Sequence, residues 1–202
     1  MAASTLFRLS GVAGIACGLV ILIQRLVIDS FVTGSPLAIG PLGPVLGLLV
    51  LTGAYLRQRE ESGVLGGVAY IVGFISMGFI AGIDFTRRYI LVQLEPGVVQ
   101  ALFAGPLRIF FLACGVSFLL GVLLFGVSSL RAGVFSRAAI LLYVVGFVPY
   151  SLSPFFPALV VTLGQAVGAI GIIWLGWELW QGGGDRSQET GVRSEVAVAS
   201  AA

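Results

Sequence analysis

Six apolar stretches dominate the chain, and the gaps between them hold nearly every charged residue. The stretches lie at about residues 10–28, 39–56, 64–83, 109–130, 138–153 and 158–177. A helix needs roughly 20 apolar residues to cross a hydrocarbon core about 30 Å thick. The pattern therefore predicts an all-α fold, an integral membrane bundle of six transmembrane helices within residues 1–180.

The last two spans come from one uncharged stretch of forty residues between Arg137 and Glu178. As a single helix this stretch would be about 60 Å long, which is twice the thickness of the hydrocarbon core. Pro154 and Pro157 remove backbone donors and disfavour a continuous helix, so we predict a turn there. Helices are expected throughout because lipid leaves no water to pair with backbone groups, and the alternation typical of a membrane barrel is absent.

The composition agrees with a membrane protein, since hydrophobic residues make up 58% of the chain and charged residues 10%. The net charge of +2 is small and not clustered, so no nucleic-acid partner is expected. The chain has no His, which removes His-based zinc and haem ligation and the Ser-His-Asp triad. No phosphate-binding glycine motif and no intramembrane carboxylate pair occur. We therefore predict no enzyme activity, no cofactor and no metal site.

Arginine is unevenly distributed between the two ends of the predicted bundle. One end has seven: Arg8, Arg57, Arg59, Arg131, Arg137, Arg186 and Arg193. The other end has four: Arg25, Arg87, Arg88 and Arg108. By the positive-inside rule this predicts a multi-pass protein of the cell (plasma or inner) membrane with both termini cytoplasmic. A signal peptide is the competing interpretation of the N-terminus, but no small-x-small cleavage site directly follows the apolar run.

The segments outside the predicted spans differ in character. Residues 181–202 consist of small and charged residues, which cannot bury enough apolar surface to become ordered, and we predict a disordered cytoplasmic tail. Residues 84–107 mix apolar and polar positions around Pro96. This mixture predicts two short helices in the membrane interface, with a re-entrant element as the alternative.

Three predicted spans carry glycines at helical spacing on one face. These glycines are Gly11, Gly14 and Gly18 in the first span, Gly40, Gly43 and Gly47 in the second, and Gly164, Gly168 and Gly171 in the sixth. Small residues let helix backbones approach closely, which matters in lipid because helix association there brings no hydrophobic gain. We expect these faces to pack within the bundle. A homo-oligomer or a seam for another membrane protein is the alternative.

Ionisable residues near the span ends are the candidates for a site. Arg25 and Asp84 both lie on protein-facing sides of their predicted helices and at the same end of the bundle. The candidate polar cluster comprises Gln24, Arg25, Asp29, Asp84, Arg87, Arg88 and Arg108. Its net positive charge suits an anionic head group or solute. A structural clasp between Arg25 and Asp84 would explain the same residues without a ligand.

The sixth span ends in the sequence GIIWLGWELW at residues 171–180. With the glycine-rich first span, this ending resembles uncharacterised small multi-span membrane proteins of GC-rich bacteria, and the resemblance implies no activity and no site residues. The chain is therefore expected to be a non-enzymatic structural or accessory membrane component with the lipid bilayer as its surroundings. The alternative is a small transporter or a lipid- or anion-binding protein that uses the outward-facing polar cluster, and a membrane enzyme comes third.

Overall fold

A computed structural model describes residues 3–28 and 39–200, with side chains for residues 4–27 and 39–182, and this part of the chain contains no β-strand. Its α-helices are α1 (Ala3–Leu22), α2 (Leu42–Phe85), α3 (Pro96–Ala104), α4 (Pro106–Ala132), α5 (Arg137–Ser151) and α6 (Ala158–Ser200). A π-helical turn, Ile23–Ile28, continues α1, and a second, Thr86–Ile90, follows α2. Short 3-10 turns follow at Leu91–Gln93 and at Ser153–Phe155.

Four helical stretches are long and apolar enough to cross a membrane. They are Ser4–Val27, Leu42–Gln93, Pro106–Ala132 and Ala158–Gly182. The helix Arg137–Ser151 is also apolar but shorter. The all-helical class predicted from the sequence is confirmed over the described residues, and the chain has the helices of a membrane protein.

Helix α2 folds back on itself at Gly63, where φ is 55° and ψ is −144°. A positive φ costs little at glycine because it has no Cβ. The rings of Tyr55 and Tyr70 stack with their centroids 4.6 Å apart, whereas in one straight helix these positions would lie about 22 Å apart. Residues 42–62 and 64–85 are therefore two antiparallel arms, named here the first arm and the second arm.

The two arms and helices α1, α4, α5 and α6 form a closed ring of antiparallel neighbours. The first arm packs on α1 and the second arm on α4, while α5 lies between α4 and α6. Extensive contact between α1 and α6 closes the ring. Six helical segments of alternating direction therefore surround one core, in which Phe118, Ile140 and Leu175 are buried.

Glycine faces glycine at three seams of this ring. A Cβ on Gly14 would lie 2.7 Å from the backbone of Gly176, and a Cβ on Gly121 would lie 3.1 Å from the backbone of Gly73. In the third pair, a Cβ on Gly146 would overlap with the backbone of Gly168. A Cβ cannot approach backbone atoms as closely as in the first and third pairs, and the second leaves almost no room. Helix backbones therefore touch directly at these seams.

The glycines singled out in the sequence lie at several of these contacts. Gly11, Gly14 and Gly18 lie against α6, and Gly164, Gly168 and Gly171 lie against α5. In the first arm, Gly43 faces Ile21 of α1, and Gly47 lies between Met77 and Cys17. Gly40, which precedes α2, instead faces the side chain of Arg88.

Residues 86–104 lie outside the ring. None of the residues of Thr86–Ile90, Leu91–Gln93 or α3 is buried. The segment contacts the bundle near the start of α4, where the rings of Phe103 and Phe111 meet edge to face at 5.2 Å. The interfacial helices and the re-entrant element predicted for this segment both stay predictions.

Contacts between three segments cover one end of the ring, named here the Arg57 end. The guanidinium of Arg57 donates a hydrogen bond to the backbone carbonyl of Glu178 and lies 5.3 Å from the centre of the Phe135 ring. The Glu178 carboxylate accepts a hydrogen bond of 3.0 Å from the backbone N–H of Ser136. These contacts join the first arm, the turn before α5 and helix α6.

The helices extend beyond several of the predicted spans. The first arm continues through residues 57–61, of which four are charged and which the sequence places in a gap between spans, and it ends only at Gly63. Arg57 contacts Glu178 and Phe135 at this end of the ring. The helix can therefore continue through a charged residue that lies outside the core. Helix α6 runs on through residues 181–200, and the disorder of the tail 181–202 stays a prediction from the sequence.

We expect Gly146→Ala to destabilise the bundle, because the new methyl group would meet the backbone of Gly168. Overpacking of this kind costs about 1–3 kcal/mol. The matched control is Gly78→Ala in the second arm, where nothing lies within 4 Å of the new Cβ. That control should be neutral or stabilising because alanine is the better helix former. Thermal unfolding in detergent measures both variants, and equal midpoints would contradict direct backbone contact at this seam.

Candidate functional site

A partly open cavity lies inside the ring, towards the end opposite the Arg57 end. Its empty volume, which includes the open mouth, is about 530 Å³. Both arms and all four of the helices α1, α4, α5 and α6 contribute lining residues. The cavity is therefore a product of the closed ring and not of any one helix pair. The end of the bundle that contains it is named here the Arg25 end.

The cavity lining divides into a polar level and an apolar floor. The polar level consists of Gln24, Arg25, Asp84, Arg88, Tyr150 and Gln165. The apolar part of the lining, named here the floor, comprises Cys17, Gly47, Met77, Phe118, Phe147 and Ile172. On α6 the two levels are seven residues apart, from Gln165 to Ile172, which is about 10 Å along a helix. The lining suits a molecule with a polar head and a short apolar body.

Two π-helical turns carry most of the charge at the polar level. Gln24 and Arg25 lie in the turn Ile23–Ile28, and Arg87 and Arg88 lie in the turn Thr86–Ile90. A π-helical turn widens the helix and changes the direction of the side chains that follow, and such turns are frequent at functional sites. Both turns occur where the chain leaves the ring at the Arg25 end.

Gln24 fixes the backbone beside the cavity. Its amide oxygen accepts hydrogen bonds of 3.0 Å from the backbone N–H groups of both Ile39 and Gly40, and its side chain is buried. These N–H groups lie directly before α2, where the helix itself supplies no acceptors. Gln24 is therefore a cap that α1 provides for the first arm.

Arg88 lies against this capped segment. A Cβ on Gly40 would be 2.5 Å from Nε of Arg88, so a larger residue there would require the arginine side chain to shift. The charged side chain thus crosses from the end of the second arm to the start of the first arm. Gln24, Gly40 and Arg88 form one continuous part of the cavity wall.

Tyr150 brings α5 into the polar level. Its hydroxyl lies close enough to Asp84, Arg25, Arg87 and Arg88 to interact with each of them electrostatically. Arg87 itself is exposed and does not line the cavity, but it belongs to the same electrostatic surroundings.

The structure brings four members of the sequence-predicted polar cluster to the cavity: Gln24, Arg25, Asp84 and Arg88. Arg108 is exposed in the first turn of α4 and is not part of the lining. Asp29 lies outside the described residues. Arg25 and Asp84 line the same space, which is compatible both with the ligand-binding alternative and with the clasp between these two residues.

Gln165 is a member of the site that sequence reasoning missed. It is 6% exposed, it lines the cavity, and its amide oxygen has no hydrogen-bond partner among the residues that the structure describes. In the sequence it reads only as a mild interhelical hydrogen-bonding residue. Gln165 lies far along the sequence from any charged residue, so the sequence does not mark it as part of a site. It comes near Arg25 only because α6 packs antiparallel to α1.

Comparison of the chain with protein-family models, curated proteins and solved structures finds no match.

Removal of the Gln24 cap should destabilise the protein. Gln24→Ala leaves two backbone donors without their acceptor, and a buried donor without a partner costs about 1–3 kcal/mol. Gln24→Glu keeps an acceptor at the same position and should recover most of the loss. Thermal unfolding midpoints of the two variants check this, and an Ala variant as stable as the parent would rule out the cap.

Proposed function

We propose that the protein is a six-span membrane protein that binds an anionic amphiphile in its cavity. The six-span count is supported by the fold of α2 at Gly63, which converts one long helical stretch into two arms of about 30 Å each. The outward faces of these arms are apolar, as at Leu49 and Ile75, which are 51% and 52% exposed. Such faces suit lipid contact on both arms.

The orientation follows from the arginine distribution. The Arg57 end has the larger share of arginine, so we place it and both termini in the cytoplasm. The cavity then faces the outside of the cell (plasma or inner) membrane. An amphiphile in the outer leaflet would enter the cavity in its usual orientation, with the head outward and the apolar chain towards the middle of the membrane.

The observation that carries the proposal is that Arg25, Asp84 and Arg88 line one cavity above an apolar floor. Two guanidiniums and one carboxylate leave a net positive formal charge, which favours an acidic head group. Guanidiniums bind phosphate and carboxylate oxygens through paired hydrogen bonds. Phe118, Phe147 and Ile172 supply the apolar surface for the body of the ligand.

Binding fits the geometry better than transport. A transported solute needs a route past the Arg57 end, where Arg57 and Glu178 join the first arm to α6 and Ser136 is hydrogen-bonded to Glu178. Those contacts would have to open in every transport cycle. A binding protein needs only the cavity at the Arg25 end.

A structural or accessory role is the second candidate. It is favoured by the segment of residues 86–104, which has no buried residue and leaves Val92 and Val98 58% and 47% exposed. Such a surface at the Arg25 end suits a membrane-protein partner or a second copy of the chain. The two roles are compatible, since an accessory subunit can also hold a lipid.

Single-cysteine labelling tests the six-span topology. In a variant with Cys17 and Cys114 replaced by alanine, Gly97→Cys should react with a membrane-impermeant maleimide in intact cells. Glu61→Cys should react only after the cells are made permeable, because it lies at the Arg57 end. Reaction of Glu61→Cys from outside intact cells would contradict the proposed arrangement.

Lipid binding by delipidated protein tests the proposed function. Native mass spectrometry should show preference for phosphatidylglycerol over phosphatidylcholine, because only the former has a net negative head group. Arg25→Gln should weaken phosphatidylglycerol binding about tenfold or more, as expected when a charged hydrogen bond is lost.

The matched control is Arg108→Gln, which removes an arginine near the same end of the bundle but outside the lining. It should bind phosphatidylglycerol like the parent protein. Equal losses in the two variants would indicate a general attraction to positive charge and would count against a site in the cavity. No preference between the two lipids in the parent protein would overturn the proposal.

A further inference from the structure

We infer that the ligand's head group carries a hydroxyl beside its acidic group, and that Gln165 is the residue that selects for this hydroxyl. This inference rests on the proposed function and specifies its ligand. It starts from the unpartnered amide oxygen of Gln165 in a side chain that lines the cavity and is more than nine-tenths buried. Among the described residues, five buried side-chain oxygens have no hydrogen-bond partner, and only that of Gln165 belongs to a residue that lines the cavity. A buried acceptor without a donor is costly, and we therefore place its partner in the cavity.

Gln165 lies at the depth of the charged residues. On the seam between α1 and α6, Gly14 lies against Gly176 and Gly18 against Ala169. The antiparallel register continues towards the Arg25 end and places Gln165 opposite the π-helical turn that carries Arg25. A head group held by the arginine is therefore within reach of the amide.

The missing partner must be a hydrogen-bond donor, because the unpartnered atom is a carbonyl oxygen. An acidic group that is fully ionised offers no donor, so the acid bound by Arg25 and Arg88 cannot supply the partner that the amide oxygen of Gln165 lacks. The terminal amide torsion is soft, which lets the oxygen turn towards a donor in the cavity. The head group must then supply the donor from a second functional group.

The charge of the site decides between an amine and a hydroxyl. Arg25 and Arg88 line the cavity against the single carboxylate of Asp84, so a further ammonium would be repelled. A hydroxyl donates a hydrogen bond without adding charge. The ligand class is therefore an anionic amphiphile with a hydroxylated head, of which a glycerol phosphodiester is an example.

Two lipids of equal charge test this inference. Phosphatidylglycerol and phosphatidylmethanol are both singly charged phosphodiesters, but only the glycerol head has free hydroxyls. The delipidated parent protein should bind phosphatidylglycerol about tenfold more tightly, as expected when one donor–acceptor pair is present in one complex and absent in the other. Gln165→Met, with a similar shape and no amide, should bind both lipids alike and at the weaker affinity.

Two further measurements make the result specific. Thr162→Val removes a polar group one turn away on α6, outside the lining, and should keep the preference of the parent. The thermal unfolding midpoint of delipidated Gln165→Met should equal or exceed that of the parent, because the variant loses an unsatisfied polar atom. A lower midpoint would show that Gln165 has a structural partner, and the inference would be wrong.

The outcomes separate this inference from the proposed function. If neither anionic lipid binds in preference to phosphatidylcholine, the proposed function itself fails. If both anionic lipids bind equally well in the parent and Gln165→Met changes neither affinity, the cavity binds anionic amphiphiles without selecting for a hydroxyl group. In that case a water molecule donates the hydrogen bond to the Gln165 oxygen. The inference about the hydroxyl is then wrong, and the proposed function stands.

Discussion

Direct contact between helix backbones at the glycine seams is the interaction on which the rest of this structure depends. In lipid, burial of an apolar side chain against another helix gains little over burial among acyl chains, so association relies on close packing. Gly14 against Gly176 closes the ring between its first and last segments, and Gly146 against Gly168 joins α5 to α6. With these seams in place, six segments surround one space, and the cavity is what remains at its Arg25 end.

The charged residues at the two ends of the ring make different kinds of contact. At the Arg57 end, charged and polar groups pair with backbone atoms of neighbouring segments, so that Arg57 and Glu178 hold helices together. At the Arg25 end, the π-helical turns direct Arg25 and Arg88 to a cavity whose floor is apolar. Gln165 adds to this level an acceptor for which no described residue supplies a donor.

The sequence predicted the helical class and much of the cavity wall because those features are local. Repeated glycines such as Gly14 and Gly18 mark a packing face by spacing alone, whereas Gly146 has no glycine one turn away and its role depends on a distant partner. The π-helical turns have no recognisable sequence pattern, so the direction of Arg88 could not be derived. Gln165 was missed for the same reason as Gly146, since its place depends on the register between α1 and α6.

The fold-back of α2 at Gly63 is the central claim, because without it the ring has a gap and the cavity loses part of its wall. Spin labels at the exposed positions Leu49 and Ile75 measure it directly by pulsed electron paramagnetic resonance. Adjacent helices lie about 8–10 Å apart, so with the label lengths we predict a distance below about 25 Å. A distance near 39 Å, roughly 26 residues of straight helix, would contradict the account.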